Sequence, residues 1–148
     1  MTIRALFPRR AVLPAAALAA ALLVQACQAP RTATSNTRLY ASDLAGGAAV
    51  CTVPDVKLTN GKESATTMTV GNDGGWCGVT AGQLGHPYAT ALLTERPAHG
   101  KVYVHPVGDA TRIDYTPDRG FAGSDSFAVR LIPGDAVLRV AVTVKPKA

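Results

Sequence analysis

The sequence is short of aromatic side chains, with three Phe, four Tyr and one Trp among 148 residues. A core built from it must be mostly aliphatic. Charged residues make up only 17%. The formal charge of +5 comes from fifteen Lys and Arg against ten Asp and Glu, and three of the basic residues, Arg4, Arg9 and Arg10, precede the main apolar run. Without them the balance is twelve against ten, or +2. That excludes the basic footprint of a nucleic-acid-binding protein. The apolar run, Ala11 to Val24, is too short to span a bilayer comfortably. Beyond Cys27 no ten-residue stretch carries a helical period, which excludes a helical bundle.

Reactive constellations are missing too. There is no Gly-x-Ser-x-Gly elbow, and Ser124 and Ser126 belong to a turn motif described below. The Gly-rich stretch Gly71–Gly78 lacks the Lys-Ser/Thr and the helix that cradle a phosphate. Two Glu, at 63 and 95, and eight scattered Asp do not suggest the carboxylate pair of a glycosidase. His99 and His105 share a strand parity but lie about 20 Å apart if extended. His86 has no spaced partner. No zinc site is expected. The sequence therefore reads as a non-enzyme without a cofactor.

What is present begins with a three-part N-terminus: a basic stretch from Met1 to Arg10, the apolar run, and Gln25-Ala26-Cys27. The last segment resembles the lipobox of bacterial lipoprotein precursors, with Val24 where Leu is usual and a larger Gln25 than is typical. The resemblance implies cleavage of residues 1–26, acylation of Cys27 and attachment to a membrane. An ordinary secretory signal cleaved after Ala26 is the alternative. Arg9-Arg10-Ala11-Val12-Leu13 faintly resembles a twin-arginine signal, so the Sec and Tat routes both stay open. In lipoproteins of enteric-type envelopes, Asp after the acylated cysteine favours inner-membrane retention, so with Gln28 there the resemblance implies the outer membrane of a cell envelope, with the domain in the periplasm or at the surface. Cysteine parity fits acylation: Cys51 and Cys77 remain as an even pair, expected to bridge in an oxidising compartment.

Residues 27–48, rich in Ala, Thr, Ser, Asn, Pro and Gly, read as the lipidated cysteine and a flexible tether, with Leu39-Tyr40 as an alternative first edge strand. From residue 49 to 148 short β-branched runs alternate with Gly, Pro, Asn and Asp. Strands are expected at 51–58, 65–71, 88–94, 100–105, 111–116, 125–132 and 136–144. Leu138, Val140, Val142 and Val144 are assigned to the core, as are Phe127, Val129 and Leu131. Val107-Gly108-Asp109 and Pro133-Gly134-Asp135 are expected turns. About seven short strands at this spacing predict a small all-β antiparallel sandwich, with a disulfide compensating for a small core.

The second half carries Pro97-Ala98-His99-Gly100-Lys101-Val102, then Ile113-Asp114-Tyr115-Thr116-Pro117, then Gly120-Phe121-Ala122-Gly123-Ser124-Asp125-Ser126-Phe127, and a closing alternating strand. This string resembles the bacterial Ig-like and cadherin-like repeats of exported surface proteins, with a weaker match at Val70-Gly71-Asn72-Asp73. The resemblance implies an Ig-like sandwich and a binding or structural module. Here Asp125 can accept backbone N–H bonds in a turn and Tyr115 can fix the corner with its hydroxyl. One copy stands where the family has tandem repeats, and the Cys pair and Gly74-Gly75-Trp76-Cys77-Gly78 depart from the pattern. Region 72–87 thus reads as an insert particular to this chain.

The leading expectation is a non-enzymatic envelope lipoprotein acting in adhesion, assembly or scaffolding, with an envelope protein or glycan as partner. The alternative is an accessory ligand-binding lipoprotein that uses a loop at 72–88, with Asn72, Asp73, Trp76 and Tyr88 as candidates for glycan or calcium. Asn72, Asp73, Asp118 and Asp125 carry oxygen ligands but no compact Asp-x-Asp run, and turn formation is their simpler role. Tyr103 joins Trp76 and Tyr88 as a candidate aromatic patch.

Overall fold

Residues 40–82 and 85–147 are described in a computed structural model. The expected signal peptide, Cys27 and the first part of the expected tether lie outside the described residues. Eight strands follow a one-turn helix, α1 (Ala41–Leu44): β1 (Cys51–Thr52), β2 (Glu63–Gly71), β3 (Cys77–Ala81), β4 (Thr90–Glu95), β5 (Gly100–Val107), β6 (Ala110–Pro117), β7 (Gly123–Ile132) and β8 (Ala136–Lys145). They form a β-sandwich of a five-stranded sheet, ordered β1-β2-β8-β7-β4, and a three-stranded sheet, ordered β3-β6-β5.

Period-two alternation places the core where it was expected. Leu138, Val140, Val142 and Val144 of β8 are all buried, as are Phe127, Val129 and Leu131 of β7. Met68 and Val70 of β2 join them. The facing sheet contributes Cys77, Val79, Ile113 and Tyr115. Val102 and Val104 pair with Tyr115 and Ile113 across the β5–β6 ladder and pack on the same interior. The rings of Tyr115 and Phe127 lie nearly parallel with centroids 5.9 Å apart, joining one sheet to the other.

Both predicted hairpins form. β5 and β6 pair up to Val107↔Ala110, leaving Gly108-Asp109 as the loop. Gly108 has φ 61° at the first loop position, where tight hairpins favour glycine. β7 and β8 pair up to Leu131↔Ala136 around the Pro133-Gly134-Asp135 turn. Gly134 there has φ 104°, and a Cβ on it would meet Oδ1 of Asn60 at 2.4 Å. The backbone conformation favours glycine, and a side chain there would also displace the Asn60 amide.

Three features depart from the sequence expectation. The run at 51–58 is a strand only at Cys51–Thr52. Val53, Val56 and Leu58 still pack against the core, but Pro54 has no N–H for a ladder. β3 lies inside the region read as an insert, where Gly78 and a length of five residues hid the alternation. The sandwich is also mixed rather than wholly antiparallel. β2 runs parallel to β8, from Glu63↔Val137 to Gly71↔Lys145. No short hairpin joins these two strands, so turn geometry does not dictate their relative sense.

Cys51 and Cys77 form the expected disulfide, with Cα atoms 5.2 Å apart. It crosses from β1 in the larger sheet to β3 in the smaller. The described part of the expected tether is folded: α1 and residues 45–50 lie against the start of β3. The amide of Ala48 donates to the carbonyl of Trp76 over 2.8 Å, and the amide of Trp76 donates to the carbonyl of Gly46 over 3.0 Å. Gly75 permits this approach, since a Cβ there would sit 2.4 Å from the Ala48 nitrogen. Tyr40, the alternative edge-strand residue, instead precedes α1, and its amide donates to Oδ2 of Asp43.

Candidate functional site

The region singled out in the sequence, 72–88, divides among several local structures. Asn72 follows β2 and is buried. Its Nδ2 donates to the carbonyls of Asp118 and Phe121 over 2.7 and 2.8 Å. The amide therefore clasps the 118–121 turn, which is also closed by the Phe121 amide on the Asp118 carbonyl. Asp73 accepts the amides of Ala49 and Gly75 over 2.8 and 2.9 Å. These two N–H groups hold its carboxyl below the usual carboxylate range.

Trp76 is taken up by folding contacts. Its Nε1 donates to the carbonyl of Ala45 over 2.9 Å, and the Arg112 guanidinium lies 3.8 Å from its ring centroid. Tyr88 is buried, and its amide donates to Oγ1 of Thr111. Tyr103 on β5 is 66% exposed and stacks on His105 at 4.8 Å. Trp76, Tyr88 and Tyr103 thus sit in three different environments: under the 45–48 segment, in the core, and on an outer face.

Asn72 and Asp73 border a groove of about 640 Å³. Its walls also include Thr116, Pro117, Phe121 and Pro146, with the cations Arg119 and Lys147 at the rim. The volume is ligand-sized, and its lining mixes polar and charged groups with three apolar side chains, Pro117, Phe121 and Pro146. Arg119 and Lys147 were not read from the sequence. They lie far apart along the chain, and the end of β8 and the clasped 118–121 turn bring them to one groove.

A second cluster was also missed. On the outer face of the smaller sheet, Arg112 and Asp114 are buried charges. Arg112 Nε donates to Asp114 Oδ1 over 2.8 Å, and His105 Nε2 lies 2.9 Å from Asp114 Oδ2. Arg112 Nη1 also donates to the Asp43 carbonyl. Gly78 leaves room for the pair, because a Cβ there would meet Asp114 Oδ1 at 2.5 Å. The legible signal was a pair of opposite charges two apart on a strand, which share one face.

The corner motif forms as its residues implied. Asp125 accepts the amides of Ala98, His99 and Ser126, each at 2.9 Å, and the Tyr115 hydroxyl at 2.9 Å. Burial alone would raise the Asp125 pKa, but the four donors outweigh it and hold the carboxyl below its ordinary range. Burial, reinforced by Asp125, pushes the Tyr115 hydroxyl well above the usual phenol range. A Cβ on Gly100 would lie 2.5 Å from the Tyr115 ring, so glycine is needed beside it. His99 stacks on Phe121 at 4.1 Å.

Of the residues weighed for calcium, Asp125 and Asp73 carry donors on both oxygens, and Asn72 points its amide nitrogen at carbonyls. Among the described residues no three His, Cys, Asp or Glu side chains gather as a metal site. Comparison with protein-family models and with curated protein sequences finds no match to this chain.

Proposed function

We propose that this chain is a cell-envelope lipoprotein, anchored through acyl groups on Cys27, whose single Ig-like sandwich serves as a non-enzymatic module for adhesion, assembly or scaffolding. The observation that carries the reading is the Cys51–Cys77 bridge. It consumes two of three cysteines and leaves Cys27, at the end of a lipobox-like segment, as the unpaired one. The Asp125 hub and the Asn72 clasp support the second half of the reading. They commit polar side chains to holding loops rigid, as suits a scaffold.

A second reading, an accessory ligand-binding lipoprotein, draws on the groove beside Asn72 and Asp73. Its partner would be a glycan. Thermal-shift measurements against glycans and calcium test that reading.

The anchor is tested by growing expressing cells with an alkyne-bearing fatty acid. The chain incorporates the label and fractionates with membranes, and Cys27→Ala loses both properties. A labelled or membrane-bound Cys27→Ala chain would overturn the anchor assignment.

A further inference from the structure

Six large apolar side chains are notably exposed among the described residues, and three of them fall within eleven residues: Tyr40 at 62%, Leu44 at 67% and Val50 at 43%. The other three, Leu92, Leu93 and Tyr103, lie on β4 and β5. Tyr40 is the extended N-cap residue of α1 and Leu44 its last residue, so the two flank the same single turn. This segment is not loose. Its carbonyls at Asp43, Ala45, Gly46 and Val50 accept bonds from Arg112, Trp76 and Gly71. The backbone is therefore fixed while its apolar side chains face outward. The carboxylates on and against it, Asp43 and Asp73, accept backbone N–H groups.

Position in the chain identifies the partner. Residues 28–39, a dozen in all, separate Cys27 from Tyr40. Fully extended, they reach roughly 40 Å. If Cys27 is acylated, 40–50 is the described part of the domain closest along the chain to the bilayer. We infer that Tyr40, Leu44 and Val50 form a membrane-docking surface, which seats the domain on the lipid interface in one orientation. This rests on the lipid-anchor reading above. Tyr is suited to the interfacial zone, where its ring is buried and its hydroxyl stays wet. A fixed backbone lowers the ordering cost of docking. The anchor turns docking into an intramolecular step, so three modest contacts suffice.

The test uses the full chain purified from its envelope and placed in vesicles of phosphatidylethanolamine and phosphatidylglycerol carrying a paramagnetic headgroup. NMR relaxation is read at the amides of residues 40–50 and at Gly134 and Asp135. The latter precede β8, whose far end at Lys145 pairs with Gly71, which in turn bonds to Val50. Enhancement several-fold greater at 40–50 is expected. It disappears in Tyr40→Ser/Leu44→Ser while Trp76 fluorescence and acylation are retained. Equal enhancement at both ends, enhancement centred on Leu92 and Tyr103, or a protein crosslinked at Tyr40 in place of lipid would overturn the inference. Mass analysis of the same sample keeps the two claims apart. If Cys27 carries no acyl group, the anchor reading fails, and partitioning of that chain onto the same vesicles decides the surface. A drop of about tenfold in Tyr40→Ser/Leu44→Ser supports it, and no partitioning of the parent chain overturns it.

Discussion

The hydroxyl of Tyr115 donates to Oδ2 of Asp125 over 2.9 Å. Tyr115 belongs to β6 of the smaller sheet and Asp125 to β7 of the larger, so one bond ties the two layers at the corner where the chain passes between them. The same hydroxyl lies 3.1 Å from the His99 carbonyl, which it also bonds. Removing it in Tyr115→Phe leaves Asp125 with its three N–H donors and costs about 1–2 kcal/mol. Urea denaturation of the two chains measures the difference.

Asp125 also sets an acid limb. Its folded pKa lies below the ordinary Asp value of 3.8. The stabilisation is therefore fully present above the unfolded value and is lost as pH falls through the lower folded one. Asp73 and Glu95 shift in the same direction but are exposed, so solvent screens their share. Stability measured by denaturant from pH 6 down to pH 2 falls mainly below about pH 4. Asp125→Asn is less stable at neutral pH and shows a flatter acid limb.

Gly100→Ala places a methyl group against the Tyr115 ring in a filled interior. The expected loss is about 1–3 kcal/mol, read as a lower thermal midpoint. Gly85→Ala is a poor control because its φ of 80° adds strain of its own. Gly82→Ala serves better, since its Cβ would meet only the Ala110 methyl, at 4.0 Å.

Arg112→Ala removes a guanidinium that pairs with buried Asp114, covers Trp76 and holds the Asp43 carbonyl. Among the described residues Asp114 then keeps the side-chain hydrogen bond with His105 Nε2. A loss of about 3 kcal/mol or more is expected. Trp76 emission shifts to the red, and amide exchange speeds up across residues 43–48. Arg112→Lys keeps the charge but not the planar stack, so its rescue is partial.

Reduction of Cys51–Cys77 removes a covalent tie between the two sheets. The bridge closes a loop with a sequence separation of 26. Its loss in Cys51→Ser/Cys77→Ser costs about 3 kcal/mol. Equilibrium unfolding with and without reductant checks this, and the double variant is insensitive to the reductant.

Strands with strict alternation were legible because half of each is buried against the other sheet. β8 is the clearest case, from Leu138 to Val144. The two hairpins were legible from their Gly and Asp residues, and the corner from the Gly-Phe-x-Gly-x-Asp-x-Phe string. β3 was not, since Gly78 interrupts the pattern and the reason for it, the Asp114 carboxylate, lies across the sheet. The parallel β2–β8 pairing and the groove joining Arg119 to Lys147 depend on contacts between distant segments, which no local pattern encodes. The folding of 40–50 was hidden because its bonds to Gly71, Asp73, Trp76 and Arg112 are made by its own backbone groups, to which composition is blind.

In the proposed arrangement, lipid on Cys27 holds this sandwich at a membrane. Tandem mass spectrometry of the N-terminal peptide, taken from the native envelope, addresses it most directly. The expected peptide begins at Cys27 and carries acyl groups on it. A peptide beginning at Cys27 with a free thiol and free amine, or a chain retaining residues 1–26, would contradict it.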